Sequence, residues 1–274
     1  MDLHPGDEID RYVVERLVGR GGTADVYAVR HRALGGAFAL RVAHDAQRGL
    51  REEGRLLASL HHPNVVAVYD LLEVGGRPAL VTELVQGPSL ARMLEGGPLP
   101  LPMVDELARG VLKGVRAAHL HGLVPRDLSA ANVLLAEPAY PRSDDGWVPK
   151  IAEVGPGRPD ERAEVHALGV LLYELCAGCP PEADEVPLDA LVPSLPERIV
   201  STVARAMAVE PSDRFVSVEE LLDGWLGAVD ATVWQQGLFH RPEADETAAT
   251  LVDLVRPTAP SSDLEPMTPS APVA

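Results

Sequence analysis

Pro125-Arg126-Asp127-Leu128-Ser129-Ala130-Ala131-Asn132 is the stretch on which the reading of this chain turns. It sets the carboxylate of Asp127 five residues before the carboxamide of Asn132. Asparagine occurs only twice in 274 residues, here and in His62-Pro63-Asn64, so both positions are informative. Upstream, residues 102–121 place Val104, Leu107, Ala108, Val111, Leu112, Val115 and Ala118 on one face of a helix. Downstream, the strand-like run Val148 to Ala152 leads into Glu153-Val154-Gly155. The eight residues Pro156 to Ala163 then separate it from residues 164–175, apolar nearly all round, as in a helix buried at the centre of a lobe.

Further upstream the period shortens. From Asp10 to Val42 the apolar pattern, broken by turn chemistry at Gly19 to Gly22 and at Gly35-Gly36, predicts consecutive antiparallel strands. Gly49 to Leu60 has helical spacing and carries Glu53, and Val65 to Val85 returns to two strands split by Gly75-Gly76. After Gln86-Gly87-Pro88 the chain is mostly helix, and two late helices are expected to start with capping boxes, Ser194 with Glu197 and Ser217 with Glu220. From about Gln236 it turns rich in Pro, Ser, Thr and acid, with the composition of a disordered tail, and no internal repeat is visible.

With 46% apolar and 24% charged residues the chain has ordinary globular composition, which excludes a wholly disordered protein. A formal charge of -17 repels phosphate backbones and anionic lipid, so neither a nucleic-acid nor a membrane partner is expected. The start MDLHPGDEID lacks the order of a secretion signal and no apolar run is long enough to cross a bilayer, so the expected location is the cytoplasm. Cys176 and Cys179 form a lone C-x-x-C with no second ligand pair, which reads as two thiols packed at the end of an apolar helix and not as a structural metal or redox site. The basic residues are 22 Arg and only two Lys, Lys113 and Lys150.

Gly19-x-Gly21-x-x-Ala24-x-Val26 lies between two strands, not between a strand and a helix, which argues against a dinucleotide-binding unit. It is followed in order by Phe38-Ala39-Leu40-Arg41, Glu53, His62-Pro63-Asn64 and the Pro125 to Asn132 loop. On these motifs the chain resembles a bacterial serine/threonine protein kinase of the eukaryotic-like (Hanks) type over about residues 10 to 227. The resemblance implies an α+β, two-lobed fold: a β-rich N-lobe with one main helix (1–86), a helical C-lobe (87–235) and the tail (236–274). It also implies ATP and magnesium. Gly19, Gly21, Gly22 and Ala24 would close over phosphates, and Val26 and Ala39 would face Leu134 across the adenine. Thr82 would stand at the back, and the backbone of Glu83 to Val85 would meet the adenine edge. Asp127 takes the position of the catalytic base and Asn132 that of a magnesium ligand.

Several positions depart from the family pattern. Arg41 stands where a lysine would pair with Glu53 and hold phosphates, and a planar guanidinium does not replace a compact ammonium there. Its bland expectation is a pair with Glu53 that closes the lobe. Glu153 replaces the metal-binding aspartate; one extra methylene moves the carboxylate by roughly 1 Å, and magnesium tolerates little departure from octahedral geometry. Pro125 replaces the histidine of the loop, and Ser129 replaces the lysine that would touch the transferred phosphate. Pro156 to Ala163 replaces an activation segment several times longer and holds no Ser, Thr or Tyr, so Arg126 has no activation-loop phosphate to hold and Arg214 loses its acidic partner.

These departures point to a pseudokinase, a binding or regulatory module with weak or no ATP-dependent transfer, weak magnesium binding at Asn132 and Glu153, and a protein partner. The alternatives are an active serine/threonine protein kinase with altered catalytic residues and a small-molecule phosphotransferase. In the tail, Thr247, Thr250 and Thr268-Pro269 are candidate modification sites, and Ala248 to Val255 has the pattern of a short partner-binding helix.

Overall fold

A computed structural model describes residues 2–44, 50–137, 146–181 and 186–228, with the side chains of residues 50–53 outside the description. The tail expectations, and any role for the Glu53 side chain, therefore lie outside the described residues.

The first half is a six-stranded antiparallel sheet ordered β1-β2-β3-β4-β6-β5. Its strands are β1 (Glu8–Ile9), β2 (Tyr12–Arg20), β3 (Ala24–His31), β4 (Ala37–Ala43), β5 (Val68–Val74) and β6 (Arg77–Glu83), and α1 (Leu50–Ser59) lies between β4 and β5 in sequence. The period-2 pattern decides which side chains go where. Leu40 and Val42 of β4 join Tyr12, Val14, Tyr27, Val29, Ala79 and Val81 in a core on one face. Ala39 and Arg41 point the other way. Val26 pairs with Arg41, Ala39 with Thr82 and Arg41 with Leu80, so all five share the second face. Leu80 on that face packs into the larger core with Leu57 and Leu60 of the α1 region.

The second half is helical: α2 (Leu90–Leu94), α3 (Leu101–Leu120), α4 (Glu161–Ala177), α5 (Leu188–Leu191), α6 (Glu197–Ala206) and α7 (Val218–Ala228). Four short strands, β7 (Leu123–Pro125), β8 (Val133–Ala136), β9 (Val148–Ile151) and β10 (Val154–Pro156), form two pairs, β7 with β10 and β8 with β9. The predicted stripe of α3 is buried throughout, and Val165, Leu168, Leu171, Leu172 and Leu175 place α4 in the same core. Trp225 of α7 is fully buried against them, with its indole N–H donating to Asp105 Oδ1 at 2.9 Å. No described helix is long and apolar enough to cross a membrane.

Three expectations need correction. The central helix starts at Glu161, three residues before the apolar run, because the Asp160 carboxylate caps it by accepting from Ala163 N at 3.2 Å. The box at Ser194 does not form. Leu195 precedes a proline and is held out of helical conformation, so α6 begins only after Pro196 and has no side-chain cap. Of the two thiols, Cys176 is buried, which pushes it up to about 12, but Cys179 is exposed beyond Gly178, so only one is packed.

The Ser217 box forms in modified shape. Ser217 Oγ accepts from Glu220 N at 3.1 Å, while the Glu220 carboxylate reaches one residue further back, to Val216 N at 2.7 Å. Ser217→Ala is expected to cost about 1 kcal/mol in chemical denaturation, and a loss below ~0.3 kcal/mol would show that the cap is dispensable.

Candidate functional site

Backbone hydrogen bonds between two neighbouring strand pairs build the floor of the site. Arg126 N donates to Glu153 O at 3.1 Å and Ala152 N donates to Asn132 O at 3.0 Å, which stitches the Pro125 to Asn132 loop to the Glu153 turn. Within the loop, residues Ala130–Asn132 form a 3-10 turn, and Asn132 Nδ2 donates to Asp127 Oδ2 at 2.8 Å. Each bond fixes one of the two groups read from the sequence. From the sheet, β4 brings Arg41 across to this floor, where its Nη2 meets Glu153 Oε1 at 2.7 Å. Both partners are about three-quarters withdrawn from water, at 27% and 29% exposure. The same nitrogen also lies 3.4 Å from Thr23 Oγ1 in the glycine-rich turn.

Gly21, Gly22, Thr23, Ala24, Arg41, Ala43, Leu80, Arg126, Asp127, Asn132 and Glu153 together line a cleft of about 480 Å³. Most of the sequence candidates for the phosphate and catalytic side are therefore assembled in one place. Gly19 and Ser129 do not line this cavity: Gly19 pairs with Val26 in the sheet, and Ser129 precedes the 3-10 turn. Val26, Ala39 and Thr82 sit on the Arg41 face of the sheet but outside the lining; Glu83, Val85 and Leu134 also lie outside the lining. Among these, Glu83 O accepts from Thr82 Oγ1 at 3.3 Å and Glu83 N donates to Ala67 O at 2.9 Å.

Among described side chains Arg41 pairs with Glu153, while the expected Arg41–Glu53 pair falls on a side chain outside the description. The guanidinium is long enough to leave its own lobe and reach a carboxylate that is itself one methylene longer than aspartate. Arg126 lies across Gly155 so closely that a Cβ there would stand 2.3 Å from its Nε and would require the guanidinium to shift. Arg214, whose acidic partner the short segment lacks, turns to backbone carbonyls, donating to Ala208 O at 2.7 Å, Arg162 O at 3.0 Å and Val209 O at 3.1 Å. The segment is shorter still than the sequence implied: after β10, pinned to β7 by Val154 opposite Pro125, only residues 157–160 precede α4.

Two contacts escaped the motif reading. His44 holds the glycine-rich turn, with its Nδ1 3.2 Å from Gly22 O and its Nε2 3.1 Å from the buried Asp25 carboxylate. Lys150 Nζ lies 2.9 Å from Glu83 Oε2 and ties the strand opposite Leu134 to the end of β6. Its signal in the sequence was a lysine kept in a chain that otherwise uses arginine.

The family model for the protein kinase domain matches residues 12–158. The chain belongs to the protein kinase family. Among curated relatives it is 32% identical to serine/threonine-protein kinase PknL of Mycobacterium tuberculosis, over 75% of this chain and 62% of that protein. It is 35% identical to the DNA damage-responsive serine/threonine-protein kinase RqkA of Deinococcus radiodurans, over 66% of this chain and 32% of the relative. The chain thus spans less than two thirds of the length of either relative. Among solved structures, a point mutant of the Mycobacterium tuberculosis PknI kinase domain aligns with a TM-score of 0.68 and 27% identity, covering 84% of this chain and 100% of that one. The α+β kinase fold, with a β-rich N-lobe and a helical C-lobe, is established.

Proposed function

We propose that this kinase domain is a pseudokinase: a binding or regulatory module that engages a protein partner, holds adenine nucleotide weakly and transfers phosphate slowly or not at all. The observation that carries this reading is the Arg41–Glu153 ion pair, in which the residues at the phosphate-holding and metal-holding positions satisfy each other. A magnesium ion would need Glu153 and Asn132 as oxygen donors. Glu153 faces a guanidinium that repels a dication, which leaves Asn132 with only its Oδ1 to offer, its amide nitrogen being held by Asp127. The residues present do not fit that metal. The adenine-facing candidates Val26, Ala39 and Leu134 are all apolar and kept, which supports retention of the base-binding half.

A thermal-shift titration of the full chain with ATP, with and without magnesium, tests this. About 1 mM ATP is expected to stabilise the fold by less than ~1 kcal/mol, and magnesium to change the affinity by less than about twofold. Tight binding that depends steeply on magnesium would contradict it. That outcome would favour the second reading, an active serine/threonine kinase, for which the specific support is the Asp127–Asn132 hydrogen bond at 2.8 Å inside the cleft.

A further inference from the structure

We propose that Glu153 is a built-in occupant of the phosphate position, so that the cleft takes an adenine nucleoside in preference to the di- or triphosphate. The proposal rests on the adenine-binding reading above and names the ligand class of the same site. Arg41 is the sheet's cation in this cleft, and its Nη2 is already committed to Glu153 Oε1 at 2.7 Å, a charge-assisted bond withdrawn from bulk water. An incoming phosphate gains from Arg41 only by displacing that carboxylate. Displacement exchanges one anion for another, and the freed carboxylate stays within the cavity as a like charge beside the ligand.

The tether strengthens the competition. Glu153 cannot diffuse away, because its backbone O accepts from Arg126 N and the neighbouring Ala152 N is fixed to Asn132 O. Its effective concentration at Arg41 therefore exceeds that of any free nucleotide at ordinary levels. The remaining lining offers no surplus of positive charge: Arg41 and Arg126 are balanced by Asp127 and Glu153, in a chain of formal charge -17. A ligand without phosphate avoids all of these costs and leaves the Arg41–Glu153 pair intact as the clasp between the two lobes.

The test is calorimetric titration of adenosine, ADP and ATP, without metal and then with magnesium, into the wild-type chain, Glu153→Gln and Arg41→Gln. At position 153 glutamine keeps the shape of the side chain and removes its charge, at position 41 it removes the charge with a shorter side chain, and unliganded melting curves establish that each variant is folded. Wild type is expected to bind adenosine about tenfold tighter than metal-free ATP. Glu153→Gln should tighten ATP about tenfold or more while moving adenosine less than about threefold, which levels or reverses the order; Arg41→Gln should leave adenosine within about threefold. Adenosine binding with an ATP affinity unmoved by Glu153→Gln overturns the inference and leaves the adenine reading standing. So does magnesium making ATP the tighter ligand of the wild type. If adenosine binds none of the three folded proteins, the adenine reading fails and the inference falls with it.

Discussion

Arg41→Lys combined with Glu153→Asp is expected to leave the protein unable to phosphorylate a panel of protein substrates, although the two changes restore the family's residues at the phosphate and metal positions. The expectation comes from the four residues, 157–160, that join β10 to α4. β10 is held on β7, Asp160 caps α4, and Glu161 accepts from Val218 N at 3.1 Å, so both ends of the connection are fastened. Such a link cannot build a surface that aligns an incoming hydroxyl with Asp127. Losing that alignment forfeits an orientational contribution of about 7 kcal/mol or more, or roughly 10⁵-fold in rate. Water needs no platform, so slow ATP hydrolysis is the activity the double variant should regain. Radiolabel transfer compared with the same variant carrying Asp127→Asn checks this, and transfer clearly above that background would show the short segment to be tolerated.

Gly87→Ala is expected to destabilise the fold by about 3 kcal/mol or more, a fall in melting temperature of roughly 6 °C or more. Gly87 lies where the chain passes from the sheet to the helical lobe, against β8. An added Cβ would stand 1.7 Å from Leu135 O and 2.9 Å from the Trp147 ring, inside the contact distance of both. Leu135 O is backbone, and Leu135 N is itself bonded to Pro88 O at 2.9 Å, so neither side can yield locally. Denaturant unfolding measures the effect; a change within about 0.5 kcal/mol would mean that this junction is not seated on β8 as described.

The order of strands and helices was legible because each half obeys a simple period, two in residues 10–42 and 3.6 in 102–121. The loop from Pro125 to Asn132 and the turn at Glu153 were legible as chemistry, and the backbone bonds at Arg126 and Ala152 account for their convergence. The partner of Arg41 was not. Period and motif place side chains on faces, but Arg41 and Glu153 are 112 residues apart and meet only through the closure of one lobe on the other. The same holds for Lys150 with Glu83, 67 residues away. Helix starts were misplaced for a local reason. The apolar run from Val165 outweighed the Asp160 cap, and the proline after Leu195 outweighed the Ser194 signal.

On the reading proposed above, phosphate and metal chemistry in this cleft give way to an internal ion pair. The most direct test of that reading is transfer of the γ-phosphate of radiolabelled ATP, with magnesium present, to a panel of protein substrates by the wild-type chain and by Asp127→Asn. The two are expected to be indistinguishable and at background. Transfer by the wild type that vanishes with Asp127→Asn would contradict it.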